Sequence, residues 1–286
     1  MKEMRVSTPE SIAGLVDILA ASECKYLMLA GCTDLLVDLK KHLNGCELMI
    51  DLSGINEMRY IKLQGKDLVI GALTTFAEIS ESRLVRDNAL CLAQAAGSVG
   101  SPQIRNRASI GGNIANGSPA ADSIPALLAL DAWVKYIDRE GSAHKVGLED
   151  FQTNIREKMK AERAFIECIG IPVKEGISFS SFAKLGSRSQ VTISKLSLAV
   201  TFALDDMGKI QEPRLGLGSV GKRAARIAAA EKLMEGRLPG DVLIQELGLL
   251  LSKEIEERIK ERGSMPYKKK AIIGLVQDLF AYDKEL

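Results

Sequence analysis

The chain has 286 residues, 46% of them hydrophobic, and its 38 lysines and arginines are nearly balanced by 37 acidic residues. This length suits two ordinary domains with a sizeable core. The even charge excludes the basic surplus that is typical of nucleic-acid-binding and membrane-surface proteins.

Cysteine and histidine usage argues against a metal site formed by this chain alone. The five cysteines are scattered and never spaced as Cys-x-x-Cys, and only two histidines occur. This usage is typical of reduced, mostly buried thiols in a cytoplasmic protein. The first residues form no apolar signal segment, and no later run is long enough to span a bilayer. We therefore expect a cytoplasmic protein without membrane insertion.

The first half of the chain is predicted to alternate short strands with helices. The sequence Ser-Thr-Pro-Glu at 7–10 is typical of a helix start, and Thr75 with Glu78 fits a capping box. Apolar runs predict strands at 26–30, 47–52, 60–63, 67–70, 132–137, 143–146 and 163–171. Apolar spacing and capping signals predict helices from residue 12, over 35–40, after residue 75, over 90–96 and over 124–129.

The pattern changes near residues 173–176, where we place a domain boundary. Beyond it, apolar runs predict strands at 177–185, 196–204 and 214–220. Helical spacing follows at 225–233, 242–253 and 267–280. The C-terminal part is therefore expected to consist of strands followed by helices.

Residues 109–122 carry the most informative motif, Ser-Ile-Gly-Gly-Asn followed shortly by Ser-Pro-Ala-Ala-Asp. Glycine adds nothing to a core and costs conformational entropy, so the glycine pair indicates a sharp turn or the close approach of a ligand. Ser118 and Pro119 are typical of a helix start, where free N–H groups favour an anion. We interpret this stretch as a phosphate-binding loop, with Asp122 able to bind ribose hydroxyls. The alternative is a glycine turn in which Ser118 only caps the helix.

Another candidate phosphate loop lies earlier in the chain, within residues 28–35. Its order is strand, tight loop and helix, and the small residues at 30–32 leave backbone N–H groups open to a ligand. Thr33 adds a hydroxyl donor. Alternatively, Thr33 or Asp34 merely caps the following helix. Two such loops together favour a dinucleotide that contains a pyrophosphate.

The sequence Gly-x-Gly-x-x-Gly-Lys at 216–222 is a weaker candidate. It matches a dinucleotide fingerprint and nearly matches a phosphate loop, but Arg223 stands where Ser or Thr would bind magnesium. The flanking strands look antiparallel, and no second strand of a Rossmann unit follows. We interpret the glycines as a strand-to-helix turn. A nucleotide-binding protein that uses 216–222 remains an alternative.

At these motifs the chain resembles the FAD-binding (medium) subunits of the molybdenum hydroxylases, which include xanthine dehydrogenase and carbon monoxide dehydrogenase. The family's first loop commonly reads Ala-Gly-Gly-Thr-Asp-Leu, and residues 30–35 read Ala-Gly-Cys-Thr-Asp-Leu. Its second loop reads Thr- or Ser-Ile-Gly-Gly-Asn before a Ser-Pro-Ala-Ala-Asp segment, as at 109–122. Residues 102–106 and 182–188 are also similar, so the resemblance covers essentially the whole chain.

The resemblance implies an α+β fold in two domains. A PCMH-type (vanillyl-alcohol-oxidase-like) FAD-binding domain is expected over 1–174, in two α/β subdomains of about 1–54 and 55–174. A C-terminal domain of the CO dehydrogenase flavoprotein type is expected over 175–286. It would contain a three-stranded antiparallel sheet followed by a helical bundle.

The resemblance also implies which residues contact FAD. The two loops would hold the pyrophosphate, Asp122 would lie at the adenosine ribose, and Ile193 would approach the isoalloxazine ring. No catalytic side chain and no metal ligand is expected. The implied cofactor-binding residues are Met28, Leu29, Ala30, Gly31, Cys32, Thr33, Asp34, Leu35, Val99, Ser109, Ile110, Gly111, Gly112, Asn113, Asp122, Ile166, Lys184 and Ile193.

The implied function is that of an oxidoreductase subunit that transfers electrons. A molybdopterin-binding large subunit would oxidise the substrate, a two-cluster iron–sulfur small subunit would pass the electrons on, and the FAD subunit would deliver them to NAD or another acceptor. Cys32 replaces the family's usual second glycine, and a Cβ there requires either an ordinary or a strained backbone. A cofactor-free scaffold subunit of the same complex is therefore an alternative.

Overall fold

Three β-sheets organise the chain. The computed structural model describes residues 4–37, 45–174, 176–188 and 191–281. We call the described part of 4–174 the N-terminal unit and that of 176–281 the C-terminal unit. The mixture of helices and sheets confirms the predicted α+β fold. Within the described residues, no helix is both long enough and apolar enough to cross a membrane.

The first sheet is short and parallel, and it leads into the first loop. Its strands, in spatial order, are β1 (Arg5–Ser7), β3 (Leu48–Asp51) and β2 (Tyr26–Leu29). Helix α1 (Ile12–Ala21) begins where the Ser11 hydroxyl accepts a hydrogen bond from the Gly14 amide at 3.1 Å. The helix predicted at 35–40 is not seen in its described part, because residues 33–37 form turns. Residues 38–40 lie outside the described ranges.

The second sheet is fully antiparallel. Its strands, in spatial order, are β4 (Ile61–Gln64), β5 (Asp67–Gly71), β8 (Phe165–Pro172), β6 (Trp133–Ile137) and β7 (Ala143–Gly147). The five predicted strands are confirmed, each with small differences at its ends. The central strand β8 is buried along most of its length, which explains why its sequence is a nearly continuous apolar run.

Short helices between these strands carry the second loop. They are α2 (Phe76–Glu81), α3 (Arg83–Asn88), α4 (Leu90–Gly97), α5 (Pro102–Arg105), α6 (Ile110–Asn116) and α7 (Ser123–Ala129). The capping box is confirmed, since the Thr75 amide donates to the Glu78 carboxylate at 2.8 Å and the Thr75 hydroxyl accepts from the Glu78 amide. The helix expected to open at Pro119 begins instead at Ser123, because the Ser118 hydroxyl accepts from the Ala120 amide in a turn.

A helical connection that was not predicted follows β7. It consists of α8 (Leu148–Asp150), a π-helical turn (Phe151–Ile155) and α9 (Arg156–Ala161). Leu148, Phe151 and Met159 are buried and Ile155 is half-buried against the same core, a spacing that is typical of a helix. No side-chain hydrogen bond caps the start of the segment.

The third sheet and three helices form the C-terminal unit. The strands, all antiparallel and in spatial order, are β12 (Ala225–Arg226), β11 (Ile210–Gly218), β10 (Leu196–Leu204) and β9 (Ile177–Leu185). The helices are α10 (Ala228–Met234), α11 (Asp241–Ile259) and α12 (Met265–Ala281). The three predicted strands are therefore present, and a two-residue fourth strand joins them.

Two boundaries in this unit differ from the prediction for local reasons. Strand β11 begins four residues before residue 214, because an irregularity with Glu212 at a φ of 48° lets Pro213 lie inside the strand. The helix predicted from residue 225 begins at Ala228, because the two residues of β12 pair with β11 first.

Helix α7 lies buried between the two units, and all seven of its residues are buried. Strand β11 approaches it so closely that a Cβ on Gly216 would lie 2.2 Å from the Pro125 carbonyl oxygen. A Cβ on Gly218 would lie 2.7 Å from the Pro125 ring. Packing therefore requires both glycines. They lie within a strand, so the interpretation of Gly216 and Gly218 as a strand-to-helix turn is wrong.

Ion pairs join the end of α7 to the C-terminal unit. Asp131 accepts hydrogen bonds from Lys174 at 2.8 Å, Arg214 at 2.7 Å and Arg226 at 2.7 Å. Burial alone would raise the pKa of Asp131, but the hydrogen bonds and charges of Lys174 and Arg214 outweigh it and lower the pKa. Asp131 therefore stabilises the fold above its unfolded pKa, and this contribution is lost as the pH falls through its lowered pKa.

Replacing Gly216 by alanine tests the close approach of β11 to α7. We expect Gly216→Ala to lower the free energy of unfolding by about 1–3 kcal/mol, the usual cost of overpacking, because the new methyl group would meet backbone atoms. Chemical denaturation measures the change. The control is Gly147→Ala, at a strand position with nothing within 4 Å of the added Cβ, which we expect to change stability by at most about 0.5 kcal/mol. Equal stabilities of the two variants would contradict the packing role.

Candidate functional site

The two candidate phosphate loops meet at a cavity of about 1180 Å³. The first loop, residues 30–35, follows β2, and the second loop, residues 109–113, leads into α6. The cavity is thus built mainly by the N-terminal unit. The predicted site residues that line it are Met28, Ala30, Gly31, Cys32, Thr33, Asp34, Leu35, Ser109, Gly112, Asn113 and Ile193.

A smaller cavity of about 360 Å³ adjoins the first. Both units line it: the N-terminal unit contributes Val99 and Asp122, and the C-terminal unit contributes Lys184. The residues that line both cavities are Thr33, Asp34, Ala108, Asn113, Asn116 and Ile193. The two cavities therefore form one continuous site between the loops and the C-terminal unit.

Four predicted site residues line neither cavity. Leu29 lies within strand β2, and Ile166 is buried in β8. Ile110 and Gly111 are buried residues of the second loop itself. These residues support the walls of the site, and the structure does not bring them to its surface.

The large cavity has further lining residues that were not predicted, among them Tyr26, Met159 and Arg163. The Arg163 guanidinium lies 5.7 Å from the centre of the Tyr26 ring. Burial raises the pKa of Tyr26 to about 12, although the Arg163 charge opposes the rise. These residues belong to no local motif, so only the tertiary structure brings them together.

The first loop presents backbone donors to the cavity. A Cβ on Gly31 would lie 2.0 Å from the Arg107 carbonyl oxygen, so only glycine lets the loop pack against the segment that precedes the second loop. Among the residues that the structure describes, none accepts a hydrogen bond from the amides of Gly31, Cys32 and Thr33. Such N–H groups beside a cavity suit an anion.

The second loop differs, because its amides already have protein acceptors. The Gly111 amide donates to the Ala72 carbonyl at 2.9 Å, and the Gly112 amide donates to the Ser109 hydroxyl at 3.3 Å. Gly111 has to be glycine, since a Cβ there would lie 2.5 Å from the Ala72 Cβ. Gly112 is exposed to the cavity. The second loop is therefore the capped start of a helix, and it offers the cavity space rather than free amides.

Side chains fix the loops relative to each other and to α7. The Asn116 amide group donates to Asp34 at 2.9 Å, which ties α6 to the first loop. The Ser123 hydroxyl donates to the side-chain amide oxygen (Oδ1) of Asn113 at 2.6 Å, which ties the second loop to α7. The geometry of the site thus depends on α7 as well as on the loops.

Cys32 adopts a strained backbone conformation. Its φ is 62°, in the left-handed region where a residue with a Cβ costs about 1–2 kcal/mol. Burial, together with the charge of Asp51, raises the pKa of its thiol, while Arg107 opposes the rise. Of the two backbone conformations considered for Cys32, ordinary and strained, the structure has the strained one. Because its pKa is raised, the thiol stays protonated at neutral pH.

A buried ion pair joins the two units at the smaller cavity. The Lys184 ammonium lies 2.6 Å from one Asp122 oxygen and also donates to the Ser98 carbonyl at 3.0 Å. The Ser194 hydroxyl donates to the other Asp122 oxygen. Burial raises the pKa of Asp122, and the charge and hydrogen bond of Lys184 oppose this. Both Asp122 oxygens already accept hydrogen bonds from protein donors, so a ribose hydroxyl would be an additional donor to them. The ribose role of Asp122 stays a prediction.

Models of two protein families match nearly the whole chain. Residues 2–174 match the FAD binding domain in molybdopterin dehydrogenase. Residues 181–282 match the CO dehydrogenase flavoprotein C-terminal domain. The two matches lie on either side of the segment that links β8 to β9.

Individual relatives agree with these matches. The nicotinate dehydrogenase FAD-subunit of Eubacterium barkeri is 30% identical over 258 residues, which cover 88% of this chain and 86% of that protein. The xanthine dehydrogenase FAD-binding subunit of Escherichia coli O157:H7 is 28% identical over 272 residues, covering 94% and 90%. A chain of carbon monoxide dehydrogenase from Hydrogenophaga pseudoflava matches with a TM-score of 0.85 at 26% identity, covering 98% and 96%.

These similarities confirm the predicted FAD cofactor. The residues present fit such a group. The first loop has amides without an acceptor among the described residues, which suits an anionic pyrophosphate, and the cavity extends on either side of that loop.

Restoring glycine at position 32 tests the strain in the first loop. We expect Cys32→Gly to raise the free energy of unfolding by roughly 0.5–1 kcal/mol, because relief of the left-handed strain exceeds the added entropy of the unfolded chain. Thermal and chemical unfolding of the FAD-free chain measure it. The control is Cys46→Gly, at a half-buried cysteine that is not among the positive-φ residues, and it should lower stability. A loss of stability in Cys32→Gly would contradict the strain.

Filling the cavity beside the loops tests where FAD binds. We expect Gly112→Val to weaken FAD binding by about tenfold or more, because its side chain would occupy space that the cofactor needs. Flavin fluorescence titration gives the Kd. The matched control is Gly147→Val, at an open position remote from both cavities, which should bind FAD as the wild type does. Full FAD affinity in Gly112→Val would place the cofactor elsewhere.

Proposed function

The chain belongs to the family of FAD-binding subunits of molybdenum hydroxylases, and we propose that it passes electrons from a partner's iron–sulfur clusters to NAD. When bound, FAD supplies the chemistry, because it exchanges electrons singly or as a hydride. The observation that carries the proposal is the first loop. Gly31, Cys32 and Thr33 line a cavity that continues to the C-terminal unit, and no residue that the structure describes accepts a hydrogen bond from their amides.

In this proposal the chain binds, orients and shields the cofactor. The first-loop amides bind the pyrophosphate oxygens, and Gly112 leaves the space beside them. Val99 and Ile193 supply apolar surface in the smaller cavity, and Ile193 is 81% exposed without a ligand. Covering that side chain would remove apolar area from water, which favours binding. No side chain is assigned a proton-transfer or nucleophilic role.

The proposed partners and compartment follow from the relatives and the thiols. Relatives are named as subunits of larger enzymes, such as the carbon monoxide dehydrogenase medium chain of Hydrogenophaga pseudoflava. By extension, a molybdopterin-binding large subunit would oxidise the substrate, and a two-cluster iron–sulfur small subunit would carry the electrons to this chain. The five cysteines are free, which favours the reducing cytoplasm.

Adding NADH to the FAD-loaded chain without oxygen tests the acceptor. Hydride transfer is reversible, so we expect NADH to bleach the flavin absorbance of the wild type. Reduced ferredoxin and a quinol, added separately, test the other acceptor classes. The Gly112→Val variant under the same conditions is the control for NADH consumption that does not need bound FAD.

The outcomes separate the parts of the proposal. If reduced ferredoxin or the quinol bleaches the flavin and NADH does not, the acceptor belongs to that class and is not NAD. A chain that holds FAD but is reduced by none of the three donors would contradict the electron-transfer role.

A further inference from the structure

We propose that Asp131, which lines neither cavity, is a positioning residue for FAD, because it fixes the C-terminal wall of the smaller cavity through helix α7. The inference rests on the assignment of FAD to the two cavities. Asp131 belongs to an ion cluster beyond the C-terminal end of α7, whereas the smaller cavity lies at the N-terminal end of that helix.

The C-terminal unit supplies one wall of the smaller cavity through Lys184 and the residues around Ile193. Lys184 belongs to β9, and β9 pairs through β10 with β11. The position of this wall relative to the loops is therefore set by how the third sheet lies against the N-terminal unit. A change in that docking would move the wall even if both loops stayed in place.

Two helices of the N-terminal unit hold the third sheet. Gln94 of α4 accepts from the Phe182 amide of β9 at 2.8 Å, and α7 makes the larger contact, with β10, β11 and β12. Asp122 precedes the helix and holds Lys184 and Ser194 at one end. At the other end, the Ala129 carbonyl accepts from the Thr201 hydroxyl of β10 at 2.7 Å. Between them, β11 contacts Pro125 so closely that no side chain fits at Gly216. The helix is thus bound to the third sheet at both ends and in the middle.

The Asp131 cluster ties the second end of α7 to the third sheet. Its carboxylate joins Lys174 at the end of the N-terminal unit, Arg214 of β11 and Arg226 of β12. The carboxylate is 28% exposed and the three cations are 21–32% exposed, so water screens the pairs less than it would at the surface. Asp131 also has a φ of 52°, a conformation that persists only when its surroundings hold it.

The test compares FAD binding in Asp131→Asn with that in the wild type, using the whole chain. The variant keeps the size of the side chain but removes the anion that joins the three cations to the end of α7. Each cation keeps a second acidic neighbour, Glu212 or Glu231, but neither of these belongs to α7 or to the segment beside it. We expect the Kd for FAD to rise by at least about fivefold, in the usual range of coupling between distinct sites. We also expect the visible circular dichroism of the bound flavin to change, because the cofactor would meet a displaced wall.

A matched control removes an ion pair that does not join the units. Glu246 pairs with Arg237 inside the C-terminal unit, and both side chains are partly exposed. We expect Glu246→Gln to keep the Kd within about twofold of the wild type, because exposed pairs contribute little, and to leave the flavin spectrum unchanged.

A milder variant keeps the test decisive if Asp131→Asn does not fold. Thr201→Val removes one hydrogen bond to the same end of α7 and leaves the charges in place. It should change the flavin spectrum in the same direction and raise the Kd by a smaller factor. Lowered thermal stability with an unaltered Kd and flavin spectrum in both variants would overturn the positioning role. A wild type that fails to bind FAD would instead overturn the assignment of FAD to the site.

Discussion

The burial of helix α7 between the third sheet and helices of the N-terminal unit is the constraint on which the rest of the structure depends. The helix has no exposed face, since all of its residues are buried. Each neighbour therefore has to adapt to it. Strand β11 does so by carrying glycine at 216 and 218, and the charged residues that bind it are confined to its two ends. A helix covered on all sides transmits the position of one unit to the other, because close-packed interiors deform little.

The two loops beside this helix differ in the hydrogen-bond donors that they offer to the cavity. The second loop resembles a phosphate-binding loop in sequence, yet its amides are already used to build α6 and to pair with the segment after β5. The first loop has the less regular sequence and the strained Cys32, yet it holds the available donors. Strain of about 1–2 kcal/mol at one residue is small compared with several charge-assisted hydrogen bonds to an anion. This difference is why the cysteine is compatible with a binding role.

Much of the fold could be predicted from the sequence because its strands are short apolar runs between clear turns. The β9 and β10 ranges match their predicted ranges, and the capping box at Thr75 is local chemistry that needs no tertiary contact. The errors have tertiary causes. Proline inside β11 hid the start of that strand, and the contact of Gly216 with Pro125 could not be seen before the two units were placed together.

The candidate site was predictable to a similar degree. Both loops were recognised from their glycines, and the structure brings most of their residues to one cavity. What sequence alone could not reveal is which amides are free and which side chains already have partners. Asp122 is an acidic residue of the type that can bind ribose hydroxyls, but its two oxygens accept hydrogen bonds from Lys184 and Ser194. Tyr26 and Arg163 carry no motif and meet only through the fold.

The self-sufficient hydrogen bonding of the second loop has a consequence for the order of biogenesis. A loop whose amides at 110–113 are satisfied within the protein needs no ligand to acquire its shape. This wall of the cavity therefore forms as the polypeptide folds. In the function proposed above, flavin insertion is then docking against a wall that already has its shape, not a step in folding that wall.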